Sequence, residues 1–181
     1  YVGMGKDFYE SFSEVKEVFH EVDDALGLKL SNIILNGTKE KLDLTENTQP
    51  AIMTVGVSIY RVLKKYKIKD LKEYNFFAGH SLGEYTSLIC SDSLSLKDGA
   101  RILKERGRSM QEAVPINVGA MAALLGTELD LINEVIKKHS SNEGVAEISN
   151  DNCPGQIVIS GNKHKINKII EDLKSNYNKK A

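Results

Sequence analysis

Ser81 lies between two glycines in the run Gly79-His80-Ser81-Leu82-Gly83, directly after Phe76, Phe77 and Ala78. A GxSxG match that follows a β-favouring pair and precedes a helical run has the strand–turn–helix setting of a nucleophile elbow. Glycines two before and two after the serine let strand and helix approach closely around a sharp turn, which projects the hydroxyl outward. The helix start then turns unpaired N–H groups, that of Leu82 first, toward any oxyanion formed there. The same residues also fit a purely structural turn in which Ser81 caps the helix. A serine hydroxyl needs a base, most often histidine, and the chain offers His20, His80, His139 and His164. His80 adjoins the serine, so the elbow aims its ring away. His20 is on an amphipathic helix far upstream, and His139 and His164 sit among lysines, where solvated side chains are expected. None of the four reads as a convincing base.

Arg106 is the second residue with chemistry to offer. At about 100° per residue, Leu96, Ala100, Leu103, Gly107 and Met110 share one face of a helix over 96–112, with Lys97, Arg101, Lys104 and Arg108 opposite. Arg106 breaks the pattern, falling inside the apolar stripe beside Ile102 and Met110. A guanidinium aimed inward keeps its proton and costs free energy unless paired, and its fork matches a carboxylate bidentately. It can serve a structural salt bridge to a buried acid, snorkel to solvent, or hold a substrate carboxylate while Ser81 attacks the acyl carbon. The last combination defines a dicarboxylic acyl donor.

The elements that would position these residues divide at Pro115. Before it, Phe8, Phe12, Val15, Phe19, Val22 and Leu26 recur at helical steps over 7–26, with a stop near Gly27. A loop follows, then a largely apolar helix over 45–66 with Pro50 in its first turn and Asn47 or Thr48 as cap. Next come a polar linker, a short strand over Asn75–Ala78, the glycine turn and a helix from Leu82 to about Cys90. Ser95 and Asp98 have the form of a capping box opening a helix to about Glu112. After Pro115, strand GAMAALLG, helix DLINEVIKKH, strands GVAEIS and GQIVISG and helix KINKIIEDLKSN give the order β-α-β-β-α. That is a split βαβ motif short of its last strand. One strand before Pro115 cannot make a sheet. The expectation is an α/β chain in two incomplete parts, 1–115 and 116–181, with sheet partners before Tyr1 and after Ala181.

A length of 181 residues suffices for a real core, and 41% hydrophobic residues, 27% charged residues and a net charge of −1 lack the basic excess of a nucleic-acid binder. No apolar run approaches the ~18 residues of a membrane span. Cys90 and Cys153 lack metal-site spacing, and two unpaired thiols fit a reducing cytoplasm. A cytoplasmic location is expected, with an organellar origin open because the chain starts at Tyr1 rather than Met.

"GHSLGEYTSL", then "RG" with "MQEAVP" close behind, "GAMAALLG" and "NCPGQIVISG", with "TQPAI" upstream, resemble in order the bacterial malonyl-CoA:acyl carrier protein transacylases. The resemblance runs along essentially the whole chain. It implies an α/β-hydrolase-like body, here 1–115 with the nucleophile elbow, and an inserted ferredoxin-like lobe, here 116–181. It implies Ser81 as the nucleophile carrying the malonyl ester, the Leu82 N–H as an oxyanion donor and Arg106 as the ligand of the malonyl carboxylate. It further implies Gln49 near the pocket and Asn152 at its mouth, and gives Cys153 no role.

The implied chemistry is ping-pong, in fatty-acid biosynthesis: malonyl passes from coenzyme A to serine, then to the phosphopantetheine thiol of acyl carrier protein. The coenzyme A thioester is substrate; no tightly bound cofactor and no metal are implied. Malonyl-CoA and acyl carrier protein are the implied partners of a monomer, with neither nucleic acid nor membrane. Two family features fall outside the chain, the GQGSQ loop that completes the oxyanion hole and the catalytic histidine after the last strand of the lobe. The expectation is thus a transacylase fragment, inactive alone. The alternatives are the acyltransferase domain of a polyketide synthase, an α/β-hydrolase esterase, against which Arg106 counts, and a non-enzymatic scaffold.

Overall fold

Val15, Val18, Phe19 and Val22 fall at i, i+3, i+4 and i+7, and all are buried in a helix that stops where Gly27 takes up a left-handed φ of 58°. The computed structural model describes residues 1–67, 76–115, 118–140 and 144–178. The chain divides into two units, Tyr1–Ala113 and Val114–Ala181.

The first unit is helical. The single helix expected over 7–26 is two, α1 (Lys6–Ser11) and α2 (Ser13–Leu26), because Phe12 is extended at φ −127°, ψ 126°. The break places the Phe12 ring 5.7 Å from Phe8 and 5.5 Å from Tyr66, favourable spacings for aromatic pairs. The segment expected as a loop holds two short helices, α3 (Leu30–Asn36) and α4 (Lys39–Asp43), which bury Leu30, Ile34 and Leu42. The long helix α5 (Thr45–Lys65) forms as expected, but neither candidate caps it: Asn47 Nδ2 donates back to Lys41 O and Thr48 Oγ1 to Leu42 O. Helices α6 (Leu82–Cys90) and α7 (Leu96–Ala113) follow, and the Ser95 hydroxyl accepts from the Asp98 N–H at 3.0 Å. Helices α2, α5 and α7 pack on one another around Phe19, Met53, Val57, Ala100 and Leu103. The strand expected over Asn75–Ala78 does not form in its described part: Phe76 to Ala78 are exposed and unpaired to any described strand, and Asn75 lies outside the described residues. A β-favouring pair without a neighbouring strand has nothing to satisfy its ladder.

The second unit follows the expected order, β1 (Gly119–Leu125), α8 (Leu129–Lys138), β2 (Ala146–Cys153), β3 (Gln156–Asn162) and α9 (Lys163–Tyr177). Its antiparallel sheet runs β1-β3-β2, with Ala122 and Ile148 flanking Ile159. Helix α9 packs on β1 and β3, closing a core of Leu124, Ile132, Ile157, Ile159, Ile166 and Ile169.

His139, expected as a solvated side chain, instead sets Nε2 2.8 Å from Asp172 Oδ2. The Lys138 ammonium and the Asn176 amide also donate to this carboxylate. The Lys138 hydrogen bond first, then those of Asn176 and His139, hold the Asp172 carboxyl well below the usual carboxylate range. A carboxyl lowered on folding stabilises the fold above its unfolded value and loses that contribution as pH falls through the lowered one. Unfolding followed by circular dichroism should therefore show stability declining below about pH 4. Asp172→Asn should be less stable at neutral pH and show a flatter acid decline; an unchanged decline would assign it to other carboxylates.

Candidate active site

Three elements of the first unit bring the candidate residues together. Gln49 sits near the start of α5, Ser81 at the N-cap of α6 and Arg106 in α7. The α5–α7 crossing depends on Gly107, where an added Cβ would come within 2.5 Å of Glu46 Cα and Thr45 O. Lys104 fastens the same crossing, 3.3 Å from Glu46 Oε2 and donating to Asn47 Oδ1 at 3.0 Å. Arg106, one position before the glycine, is thereby held against the start of α5.

Ser81 has φ 55° and ψ −117°, a conformation that costs a non-glycine residue about 1–3 kcal/mol. The turn is as tight as the sequence demands at Gly79, where a Cβ would overlap the Gly83 carbonyl, but a Cβ at Gly83 would meet nothing within 4 Å. Of the two glycines in the motif, sterics require only the first. Gly79→Ala should lower unfolding stability by about 1–3 kcal/mol through overpacking, whereas Gly83→Ala should be neutral or slightly stabilising in the helix. Urea denaturation of both variants distinguishes the sites, and equal losses would contradict the geometry.

The Ser81 side chain makes no capping bond to α6. Its exposed Oγ accepts from Arg106 Nη2 at 3.2 Å. Arg106 Nη1 donates to Gln49 Oε1 at 2.5 Å, and Gln49 Nε2 donates to Met110 Sδ at 3.4 Å. Gln49 is buried, whereas Arg106 is half-buried rather than interior, and Ile102 and Met110 beside it are exposed. The guanidinium forms no ion pair among the described residues, so its recorded partners are neutral oxygens. That rules out the buried-acid salt bridge within this set and leaves a cation next to a serine hydroxyl, an arrangement suited to an acyl group that carries a carboxylate.

The acyl transferase domain profile matches residues 1–180. The chain belongs to the acyl transferase domain family. The malonyl CoA-acyl carrier protein transacylase of Bacillus subtilis (strain 168) is 41% identical over 181 residues, 100% of this chain and 56% of the relative. A solved acyl-carrier-protein-S-malonyltransferase from Bartonella henselae superposes with a TM-score of 0.89 at 42% identity, covering 100% of this chain and 57% of that one. A malonyl-transacylase solved in complex with its type II polyketide acyl-carrier protein gives 0.87 at 34% identity, covering 99% of this chain and 57% of that one. The chain thus carries a partial α/β fold of this kind and spans about half the length of the curated relatives it matches.

Within this acyl transferase chain the other sequence candidates fare differently. Leu82 opens α6 next to the strained serine, so its N–H is among the donors a helix start leaves unpaired. Asn152 belongs to the second unit, on β2. Burial pushes the Cys90 thiol up to about 11, which leaves it protonated and unreactive. Among the described residues no three or more His, Cys, Asp or Glu side chains are grouped to hold a metal, and no helix is long and apolar enough to cross a membrane. Met110 was legible only as a member of an apolar stripe; its sulfur contact to Gln49 had no sequence signal.

Proposed function

We propose that this acyl transferase moves a malonyl group from coenzyme A, through an ester on Ser81, to the phosphopantetheine thiol of acyl carrier protein in cytoplasmic fatty-acid biosynthesis, acting as a monomer. The observation that carries the reading is the strained Ser81 with its hydroxyl 3.2 Å from a guanidinium that has no acid of its own among the described residues. Ser81 Oγ attacks the thioester carbonyl and loses its proton, the Leu82 N–H steadies the oxyanion, and the carbon–sulfur bond breaks to release coenzyme A as a thiol. The carrier thiol then attacks the ester and returns the proton to Ser81. Arg106 holds the distal carboxylate throughout, and Gln49 supports Arg106. No metal or bound cofactor enters these steps.

Proton removal from Ser81 needs a base. Among the described residues the recorded partner of the Oγ is Arg106, which can only donate, so residues 1–181 alone are expected to transfer no malonyl. A second reading, supply of malonyl to a polyketide carrier, is favoured by the solved relative named with such a carrier. Incubation of the full-length gene product with malonyl-CoA, followed by peptide mapping, tests the mechanism. Malonyl on the peptide containing Ser81 is the expected result; an adduct elsewhere, or none, overturns it.

A further inference from the structure

The buried Gln49 amide lies between two side chains of opposite hydrogen-bonding character. Arg106 can only donate, and the Met110 thioether can only accept. The amide satisfies both in one orientation, with Oε1 toward Arg106 Nη1 at 2.5 Å and Nε2 toward Met110 Sδ at 3.4 Å. Turned over, it would set N–H groups against the guanidinium and its oxygen against the sulfur, leaving a buried donor and acceptor unmatched, which is costly. Met110 lies four residues after Arg106 on α7, one helical turn along the same face, while Gln49 reaches both from α5. Because Arg106 Nη2 also donates to Ser81 Oγ, the run Met110–Gln49–Arg106–Ser81 is continuous.

We propose that Met110 is a positioning residue, whose sulfur fixes the Gln49 amide so that it presents its oxygen to Arg106 and aims the guanidinium at the acyl site. The proposal deepens the malonyl reading, on which its kinetic consequence rests. A leucine keeps nearly the volume of methionine and lacks the acceptor. Met110 is half exposed, so the exchange is tolerated by the fold.

The test compares wild type, Met110→Leu and Met110→Gln in the full-length gene product. In Met110→Leu the Gln49 side-chain NH2 resonances should shift in ¹⁵N-resolved spectra, and KM for malonyl-CoA should rise about fivefold with kcat held, the scale of one modest hydrogen bond. Met110→Gln restores an acceptor oxygen and should recover most of the KM. Unmoved Gln49 amide signals, or a KM loss not rescued by glutamine, overturn the proposal. Absence of malonyl transfer by the wild type would instead strike the malonyl reading, while the amide signals still decide the role of Met110.

Discussion

On the proposed mechanism, replacing Ser81 by alanine should abolish the malonyl ester and lower transfer by the full-length gene product about 10⁶-fold, the loss met when a nucleophile is deleted from a serine enzyme. The expected stability change is small. Ser81 is exposed and makes no cap bond to α6, so alanine forfeits only the hydrogen bond from Arg106. The strained backbone at φ 55° stays, being set by Gly79 and the start of α6 rather than by the hydroxyl. A large activity loss with unchanged unfolding is therefore the signature of chemistry, and malonyl-transfer assays beside urea denaturation read both. The Cys90 thiol of the same unit is no substitute, because burial keeps it protonated. Residual transfer above about a thousandth of wild type would put the nucleophile elsewhere, because deletion of a reacting group leaves far less.

What the sequence discloses follows the range of the interactions. The elbow is local: a glycine two residues before the serine and a helix directly after it are written in consecutive residues. The β-α-β-β-α order of the second unit is equally local, with each strand short and each helix clearly periodic. Arg106 stands out because it violates a period. Its hydrogen bonds to Gln49, 57 residues away, and to Ser81, 25 away, follow from no period along the chain, although Ser81 stands out by its own motif and the family resemblance put Gln49 near the pocket. Short elements hide for a related reason, as α3 and α4 span seven and five residues and show too few turns for a period to register. The break at Phe12 leaves the three-and-four spacing intact, so periodicity alone joins α1 to α2. Phe76 and Phe77 mislead in the other direction, because strand propensity is local but a strand exists only beside another.

Replacing Arg106 by alanine should separate carboxylate recognition from acyl transfer. Each hydrogen bond from a guanidinium to a carboxylate contributes about 1.5–3 kcal/mol. Losing a two-pronged contact should therefore lower kcat/KM for malonyl-CoA by roughly 10²–10⁴. Acetyl-CoA brings no carboxylate, so the wild-type site must leave a cation facing an apolar methyl, and alanine removes that mismatch. Its transfer should hold steady or improve. Lysine at 106 should recover only part of the malonyl activity, because one ammonium cannot reach Gln49 and Ser81 while forking onto a carboxylate. Parallel assays with the two donors decide the assignment through the ratio of their losses, which a general weakening of the fold would leave unchanged. Equal losses would mean that Arg106 holds α7 to α5 and α6 for structural reasons, and the case for a dicarboxylic donor would fall with it. A ratio shifted by two orders of magnitude toward acetyl would mean that the neutral partners of Arg106 in the free protein serve to keep its charge available for the substrate.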